Sequence, residues 1–445
     1  MKRRTHLVVR IAFVIVLAVA TTIPWHPGLH AQAAGVPRFK VDPEWPKPLP
    51  NKWKLGGVTG LAVDKDDNVW VYDRPNDLTS IEIHAELEPP IADCCLHAPA
   101  MVHIAGHDGP GYKDGDVIGS FDAPQGHGMA VDAQGFVYLG QNTVRKYDPK
   151  TGKVLMAVPH VPEQADARPF DEHPNVSWIK GQGSAGPVAG FITVPGAGGR
   201  GSRGGRGDGA TTQAQLQQTA FIAKFPPTTP MVVGSIEEIR TDDALNEIYV
   251  ADNAFGGRVM VFSLDRFEFK RGWGAYGHKL SEISTKPEDH AYAPSGPMAK
   301  EFVGHLTFNF SHDGLVYAAD RAGNRIHVTD KQGNFKQEFR LAEYTGVGGA
   351  AGGVMFSHDK DQTLLYVSDL TNNHVWFLDR KSAKVLGTLG QMGENAGSFF
   401  GLHMEATDSK GNLYTGEVFA GERVQRFVPV DSPRGKILEQ LSRIH

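Results

Sequence analysis

The sequence predicts an all-β protein, a six-bladed β-propeller closed by an N-terminal strand. Three observations carry that expectation. A strand–turn–strand pattern recurs six times, its turns are built from Asp, Asn and Gly with few long helical stretches between them, and the last copy stops one strand short. The chain has 445 residues, of which 52 are Gly and 28 Pro, with 40% hydrophobic and 21% charged residues. That length suits two or three ordinary domains or one large repeated β architecture, and the composition excludes both a polytopic membrane protein and a wholly disordered chain. A net charge of −5 with no dominant basic block argues against nucleic acid as a partner.

The first element, residues 1–33, reads as a secretory signal peptide. Lys2, Arg3 and Arg4 precede an apolar run from Ile11 to Ile23, and Ala31-Gln32-Ala33 supplies a small-x-small cleavage site. Arg3-Arg4 also permits a twin-arginine reading, and retention of the run as an anchor is the other alternative. Cleavage would remove Lys2, Arg3, Arg4 and Arg10 and no acidic residue, leaving −9 and no membrane span. The expected location is secreted or periplasmic. In an oxidising compartment, Cys94-Cys95 reads as a vicinal disulfide in preference to two buried thiols.

The N-terminal segment, 34–52, holds the strand near Phe39–Val41 expected to close the ring. The propeller itself spans 53–430. Its copies are GLAVDKDDNVWVYD (60–73), GMAVDAQGFVYLG (128–140), IRTDDALNEIYVAD (239–252), LTFNFSHDGLVYAAD (306–320), VMFSHDKDQTLLYVSD (354–369) and MEATDSKGNLYTGE (404–417). Alternating apolar residues separated by polar turns specify antiparallel hairpins. The second-strand tyrosines Tyr249, Tyr317, Tyr366 and Tyr414 recur 68, 49 and 48 residues apart, the range of propeller blades with insertions. Third strands follow at Val144–Tyr147, Arg258–Phe262, Arg325–Val328, His374–Leu378 and Arg423–Phe427. Residues 160–222 interrupt this rhythm. Their core, Gly196 to Gly209, is too rich in Gly and Arg to bury apolar surface and reads as a surface insertion. The tail, 431–445, reads as a short helix with Ser432 as N-cap and Pro433 next.

The chemistry follows from the phase of the repeat. In copies two, four and six the residue leading into the first strand is His127, His305 and His403. In copies one, three and five it is Thr59, Glu237 or Glu238, and Ala351 or its neighbour. Alternate blades stand about 120° apart round the axis of a six-bladed ring, so the three imidazoles converge. Three imidazoles with an open fourth position suit a catalytic zinc, and copper or iron use the same ligands. Loops after the second strands share that mouth and bring Arg74 and Arg321, two guanidiniums suited to a carboxylate.

At these residues the repeats resemble NHL repeats, and residues 53–430 resemble peptidyl-α-hydroxyglycine α-amidating lyase. The likeness rests on His127-Gly128-Met129, His305-Leu306, His403, Asp73-Arg74 and Ala319-Asp320-Arg321 through Arg325-Ile326. It implies a zinc-dependent carbon–nitrogen lyase, with metal on His127, His305 and His403 and substrate contacts from Arg74 and Arg321. A structural Ca2+ belongs to the same resemblance. The implied substrate is a small molecule or peptide with a carboxylate. Where the family has a catalytic Tyr this chain has Asn253-Ala254-Phe255, which leaves Tyr276 or Tyr292 as the candidate phenol. Two other classes stand beside it: a non-catalytic propeller that binds a peptide or protein, and a calcium-dependent lactonase-type hydrolase centred on Glu237, Glu238 and Glu417.

Overall fold

The computed structural model describes residues 36–162, 213–346, 348–419 and 421–442. The expected signal peptide and the Gly/Arg-rich core of the insertion lie outside the described residues. Within them the chain is a six-bladed β-propeller, nearly all β.

Each blade is a four-stranded antiparallel sheet. Blade one comprises Gly57–Val63, Val69–Arg74, Met101–Ile104 and Val117–Phe121; blade two Met129–Val131, Val137–Gly140, Val144–Tyr147 and Val154–Ala157. Blade three comprises Ile236–Asp242, Glu247–Asp252, Arg258–Ser263 and Phe269–Trp273; blade four Leu306–Phe310, Leu315–Asp320, Arg325–Asp330 and Phe335–Arg340. Blade five comprises Gly353–Phe356, Leu364–Asp369, His374–Asp379 and Val385–Leu389. Blade six has Leu402–Thr407, Leu413–Glu417 and Val424–Pro429, and its outermost strand is Phe39–Val41, paired as Phe39↔Pro429, Lys40↔Val428 and Val41↔Phe427. The first strand of every blade packs on the first strand of the next, so six first strands line the axis.

The repeat encodes its own turns. Asp132 ends the first strand of blade two and accepts from the backbone N–H of Gln134 and Phe136, while its other oxygen accepts from the Tyr138 hydroxyl at 2.8 Å. Asp408 does the same in blade six, taking the N–H of Lys410 and Asn412 and the Tyr414 hydroxyl. One carboxylate therefore closes the hairpin and satisfies the buried phenol of the next strand. The tyrosines then fill the gaps between blades. Tyr249 and Val261 of blade three, for example, pack with Phe308 and Val316 of blade four.

An acid at the end of the second strand fixes the segment leading into the first. Asp73 accepts from Gly56 N, Asp252 from Val233 N and Gly234 N, Asp320 from Val303 N and Gly304 N, and Glu417 from Phe400 N. Three of these acids also bind the Arg that opens the third strand: Asp252–Arg258, Asp320–Arg325 and Glu417–Arg423. These bonds position the residues that reach the axis.

Among the described residues two α-helices stand outside the blades. Gln213–Lys224 lies in the last part of the 160–222 insertion, where the sequence reading placed no helix, although Gln and Ala are good helix formers. Phe221, Phe225, Met231 and Phe255 pack there around Val161, Val233 and Ala254. The helix Pro433–Leu441 starts at Ser432, whose hydroxyl accepts from Gly435 N at 3.0 Å. Cys94 and Cys95 are joined as a vicinal disulfide in the connection between the second and third strands of blade one.

Candidate functional site

First strands start, and second strands end, on one face of the disc, and the site forms there. Each residue that reaches the axis does so through a local irregularity. In blade three the pairing slips between Ile236 and Glu238, and in blade six between Leu402 and Met404, leaving Glu237 and His403 as bulged residues. A bulge re-aims a side chain that regular pairing would bury in the sheet. In blade four His305 itself has a positive φ of 56°, and in blade two Gly128, next to His127, has a φ of 75°.

The resulting cluster is close. His127 Nε2 lies 3.2 Å from His403 Nε2 and 3.7 Å from Glu237 Oε2. His305 Nδ1 is 3.4 Å from the same carboxylate oxygen. The other oxygen, Oε1, accepts from Asn253 Nδ2 at 3.2 Å and from the Ser235 hydroxyl at 3.5 Å, and the Asn253 carbonyl accepts from His305 N at 3.1 Å. His127 Nδ1 faces the backbone carbonyl of Glu237 at 2.7 Å. A carbonyl only accepts, so Nδ1 carries the proton and the Nε2 lone pair of the neutral ring faces the centre. Glu237 therefore orients two histidines: His127 through its carbonyl and His305 through its carboxylate. His403 Nδ1 is buried with no partner.

Two guanidiniums complete the constellation. Arg74 Nε donates to the carbonyl of Gly126, the residue before His127, at 3.3 Å, and Arg74 Nη1 stands 3.7 Å from Asp77. Arg321 Nε is buried with no partner. Burial, joined by the charges of Arg74 and Arg321, pushes His127 down to about 4 against the pull of Glu237. Burial and the neighbouring cations likewise hold His403 well below the ordinary histidine value. Burial alone would raise the Glu237 carboxyl, but His305, His127 and Arg321 outweigh it and hold it at about 2. At neutral pH the centre thus holds the Glu237 carboxylate, two neutral imidazoles and two guanidiniums, of which Arg74 stands beside Asp77 and Arg321 is the one with an open donor for an anion.

The other sequence-derived candidates lie apart from this cluster. The Tyr276 hydroxyl donates to Glu338 at 2.7 Å and accepts from Arg325, and the Tyr292 hydroxyl donates to the carbonyl of Glu343 at 2.8 Å. Of the three carboxylates weighed for a hydrolase, only Glu237 reaches the histidines. Glu238 points into the channel and pairs with Arg240 at 3.0 Å, and Glu417 binds Arg423 and Gln425. Asn253, which stands where the resemblance implies a Tyr, is the residue that fixes Glu237. The alternation of strand residues could not separate Glu237 from Glu238, because the bulge shifts that alternation by one.

As they stand, no group of three or more His, Cys, Asp or Glu among the described residues is arranged to hold a metal ion. The donor chemistry nonetheless matches one along an edge. Tetrahedral zinc with Zn–N of ~2.0–2.1 Å sets its nitrogens about 3.3 Å apart, close to the separation of the His127 and His403 Nε2 atoms. Below, the channel narrows among Gly60, Met129, Glu238, Arg240, Gly353 and Glu405. There the Arg240 guanidinium binds Glu238 and the carbonyls of Met129 and Ile239, so the chain supplies its own cation.

No family profile and no curated protein match the sequence. Among solved structures, it is similar to selenomethionine-substituted virginiamycin B lyase from Staphylococcus aureus, at 12% identity over 89% of this chain and 90% of that one, with a TM-score of 0.41. A catalytically inactive variant of that enzyme with quinupristin gives 10% identity, the same coverages and a TM-score of 0.41. A protein of unknown function from Bacteroides thetaiotaomicron gives 12% identity over 84% of this chain and 70% of that one, with a TM-score of 0.45.

Proposed function

We propose that the mouth is the active site of an exported carbon–nitrogen lyase that resembles peptidyl-α-hydroxyglycine α-amidating lyase and converts an α-hydroxyglycyl-type substrate to an amide and glyoxylate. The observation that carries this reading is the Arg321 Nε, buried without a hydrogen-bond partner, beside neutral, inward-facing imidazoles. A buried N–H left without a hydrogen-bond partner is costly and serves no folding purpose there, whereas a substrate carboxylate would complete it.

His127, His403 and His305 would hold zinc, since Glu237 engages Nδ1 of two of them and leaves their Nε2 atoms for the centre. When bound, zinc supplies Lewis acidity that lowers the pKa of a substrate hydroxyl. Arg74 and Arg321 hold the carboxylate and orient the reacting carbon. Glu237 Oε2, fixed by the bonds of Asn253 and Ser235 to its twin, takes the hydroxyl proton. As the hydroxyl becomes the aldehyde carbonyl of glyoxylate, the C–N bond breaks with its electron pair on nitrogen, which takes the proton back from Glu237 and leaves as the amide. The channel already carries the Arg240 cation, so the proposal needs no calcium there.

The test is glyoxylate release from an N-acyl-α-hydroxyglycine by the mature protein with zinc. Glu237→Gln should still bind a carboxylate ligand while losing roughly 100-fold or more in turnover. No glyoxylate from the zinc-loaded protein, or undiminished turnover in Glu237→Gln, would overturn the reading.

A further inference from the structure

The turns between first and second strands lie on the face opposite the mouth. A cleft of about 1230 Å³ opens there, bounded by the closing strand, the turns of blades five and six and the start of the C-terminal helix. Phe39, Leu364, Tyr366, Val428 and Pro429 form its apolar wall. One polar group is recessed in that wall, and it is the exception to a rule of the repeat.

The second-strand tyrosine of a blade gives its hydroxyl to an acid of the same hairpin: Tyr138 to Asp132 at 2.8 Å, Tyr249 to Glu247 at 2.7 Å and Tyr414 to Asp408 at 3.1 Å. In blade four the Tyr317 hydroxyl accepts from Arg380 at 3.5 Å. Blade five breaks the pattern. Ser357 follows its first strand, nine residues before Tyr366, where Asp132 and Asp408 stand six residues before theirs. The carboxylate in this longer turn, Asp359, is taken up by the Ser357 hydroxyl and by the N–H and hydroxyl of Thr363. The Tyr366 hydroxyl is left without a hydrogen-bond partner among the described residues, although the residue is only 4% exposed. Its ring is held edge-on against Phe39 and Phe377, with centroids 6.3 Å and 5.0 Å away. Burial, and then the charges of Asp359 and Glu405, raise the phenol's pKa, so it keeps its proton and stands ready to donate.

The charges along the cleft are already matched. Asp114 holds Arg426 through both oxygens at 2.7 Å, Arg434 binds Asp42 and Glu44 at 2.6 Å, Asp108 binds Lys113 at 3.0 Å and Lys410 stands 3.6 Å from Asp67. Both ring nitrogens of His107 face backbone carbonyls, which makes it a cation, and the exposed carboxylate of Asp431 balances it. An ionic ligand would find no unmatched partner here. A ligand oxygen that reaches Tyr366 gains a hydrogen bond that the fold does not supply.

We propose that this cleft is a second binding site, for an uncharged and largely apolar small molecule whose carbonyl or hydroxyl oxygen accepts from Tyr366. A small molecule fits because the donor lies in the wall of a recess whose size is close to that of ligand pockets, roughly 300–1,000 Å³, and not on a flat surface. The site lies on the far face from the histidines, so its test is independent of the lyase reading.

Nile red, an uncharged dye with a ring carbonyl, is a suitable probe. Fluorescence titration should show saturable binding at one site per chain with blue-shifted emission. Tyr366→Phe should weaken that binding roughly 3- to 10-fold, and its unfolding midpoint should equal or exceed the parent's, because the hydroxyl has no partner to lose. His358→Trp, at an exposed position on the rim, should narrow the cleft and weaken the dye as well. Arg321→Gln, in the mouth, should bind it as the parent does. Absence of saturable binding, an unchanged affinity in Tyr366→Phe, or an equal loss in Arg321→Gln would overturn the site. So would a destabilised Tyr366→Phe, since the hydroxyl would then serve the fold.

Discussion

Two arginines four residues apart show how a single side chain divides between fold and function. Arg325 is fully buried, and its donors reach Asp320, the Tyr276 hydroxyl, Glu338 and the carbonyls of Ala299 and Glu301. Arg321 opens the same turn, and its Nε finds no partner. Replacing each by Met should move stability by very different amounts. Arg325→Met should cost about 3–5 kcal/mol by stranding Asp320 and Glu338. Arg321→Met should change stability by less than about 1 kcal/mol, the relief of its unpartnered Nε offsetting the lost attraction to Glu237, while abolishing carboxylate binding. Chemical denaturation of both variants checks this, and an Arg321→Met variant as destabilised as Arg325→Met would mean that the guanidinium holds the fold together. The sequence motif around Ala319–Ile326 made both residues visible. It could not show which was satisfied, because Arg325's partners come from segments 26 and 24 residues away. The surroundings of Tyr276 were hidden for the same reason: its place beside Arg325 depends on how the connection into blade four folds back.

Loops between the second and third strands are the elements that shape the mouth, and the longest described one, in blade one, is latched to blade six. Thr79 N and its hydroxyl bind Glu82, and Lys54 Nζ bridges Glu82 at 3.2 Å and Glu422 at 2.8 Å. Burial, then a hydrogen bond to Glu82, raises the Glu422 carboxyl to about 7, while Glu82 is held at about 2, where its bonds and Lys54 outweigh its burial. Glu422 is therefore the protonated partner of the pair. Because its pKa is raised on folding, the stability it contributes is complete below the unfolded value near 4.5 and declines as pH rises through about 7. Amide exchange in residues 79–97 should accelerate between pH 6 and pH 8 beyond the intrinsic rate, and Glu422→Gln should remove that excess. An identical profile in the variant would place the latch elsewhere. The latch could not be read from the sequence, since Glu82 and Glu422 are 340 positions apart. The strands were legible because their period is local. The site histidines were legible because that period fixed their phase, whereas the bulges that aim Glu237 and His403 left no mark in it.

At the scale of the whole molecule, the ring holds only if its two ends do. The incomplete sixth copy made the closing strand foreseeable, and pairing of Phe39–Val41 with Val424–Pro429 supplies it. Three residue pairs make a short seal for a propeller whose other blades close within a continuous stretch of chain. The ionic staple beside it reinforces the seal. Asp42 is 1% exposed and binds Arg426 at 2.7 Å and Arg434 at 2.6 Å, joining the residue after the N-terminal strand to the third strand of blade six and to the C-terminal helix. Arg426 is also held by Asp114 at 2.7 Å, so the staple reaches blade one. Burial opposes the Asp42 charge, but Arg434 and Arg426 more than offset it and lower its pKa, so its contribution is present above the ordinary Asp value and is lost in acid. Asp42→Asn keeps the strand and removes the charge. It should cost about 3 kcal/mol at neutral pH, because Arg426 is left buried with one carboxylate in place of two, and the difference from the parent protein should shrink below pH 4. A version lacking residues up to Val41 should fare worse. It exposes the edge of Val424–Pro429, and concentration-dependent association in sedimentation is the expected result. An unchanged unfolding midpoint for Asp42→Asn, together with a monomeric truncated chain, would show that the ring is sealed by blade-to-blade packing alone.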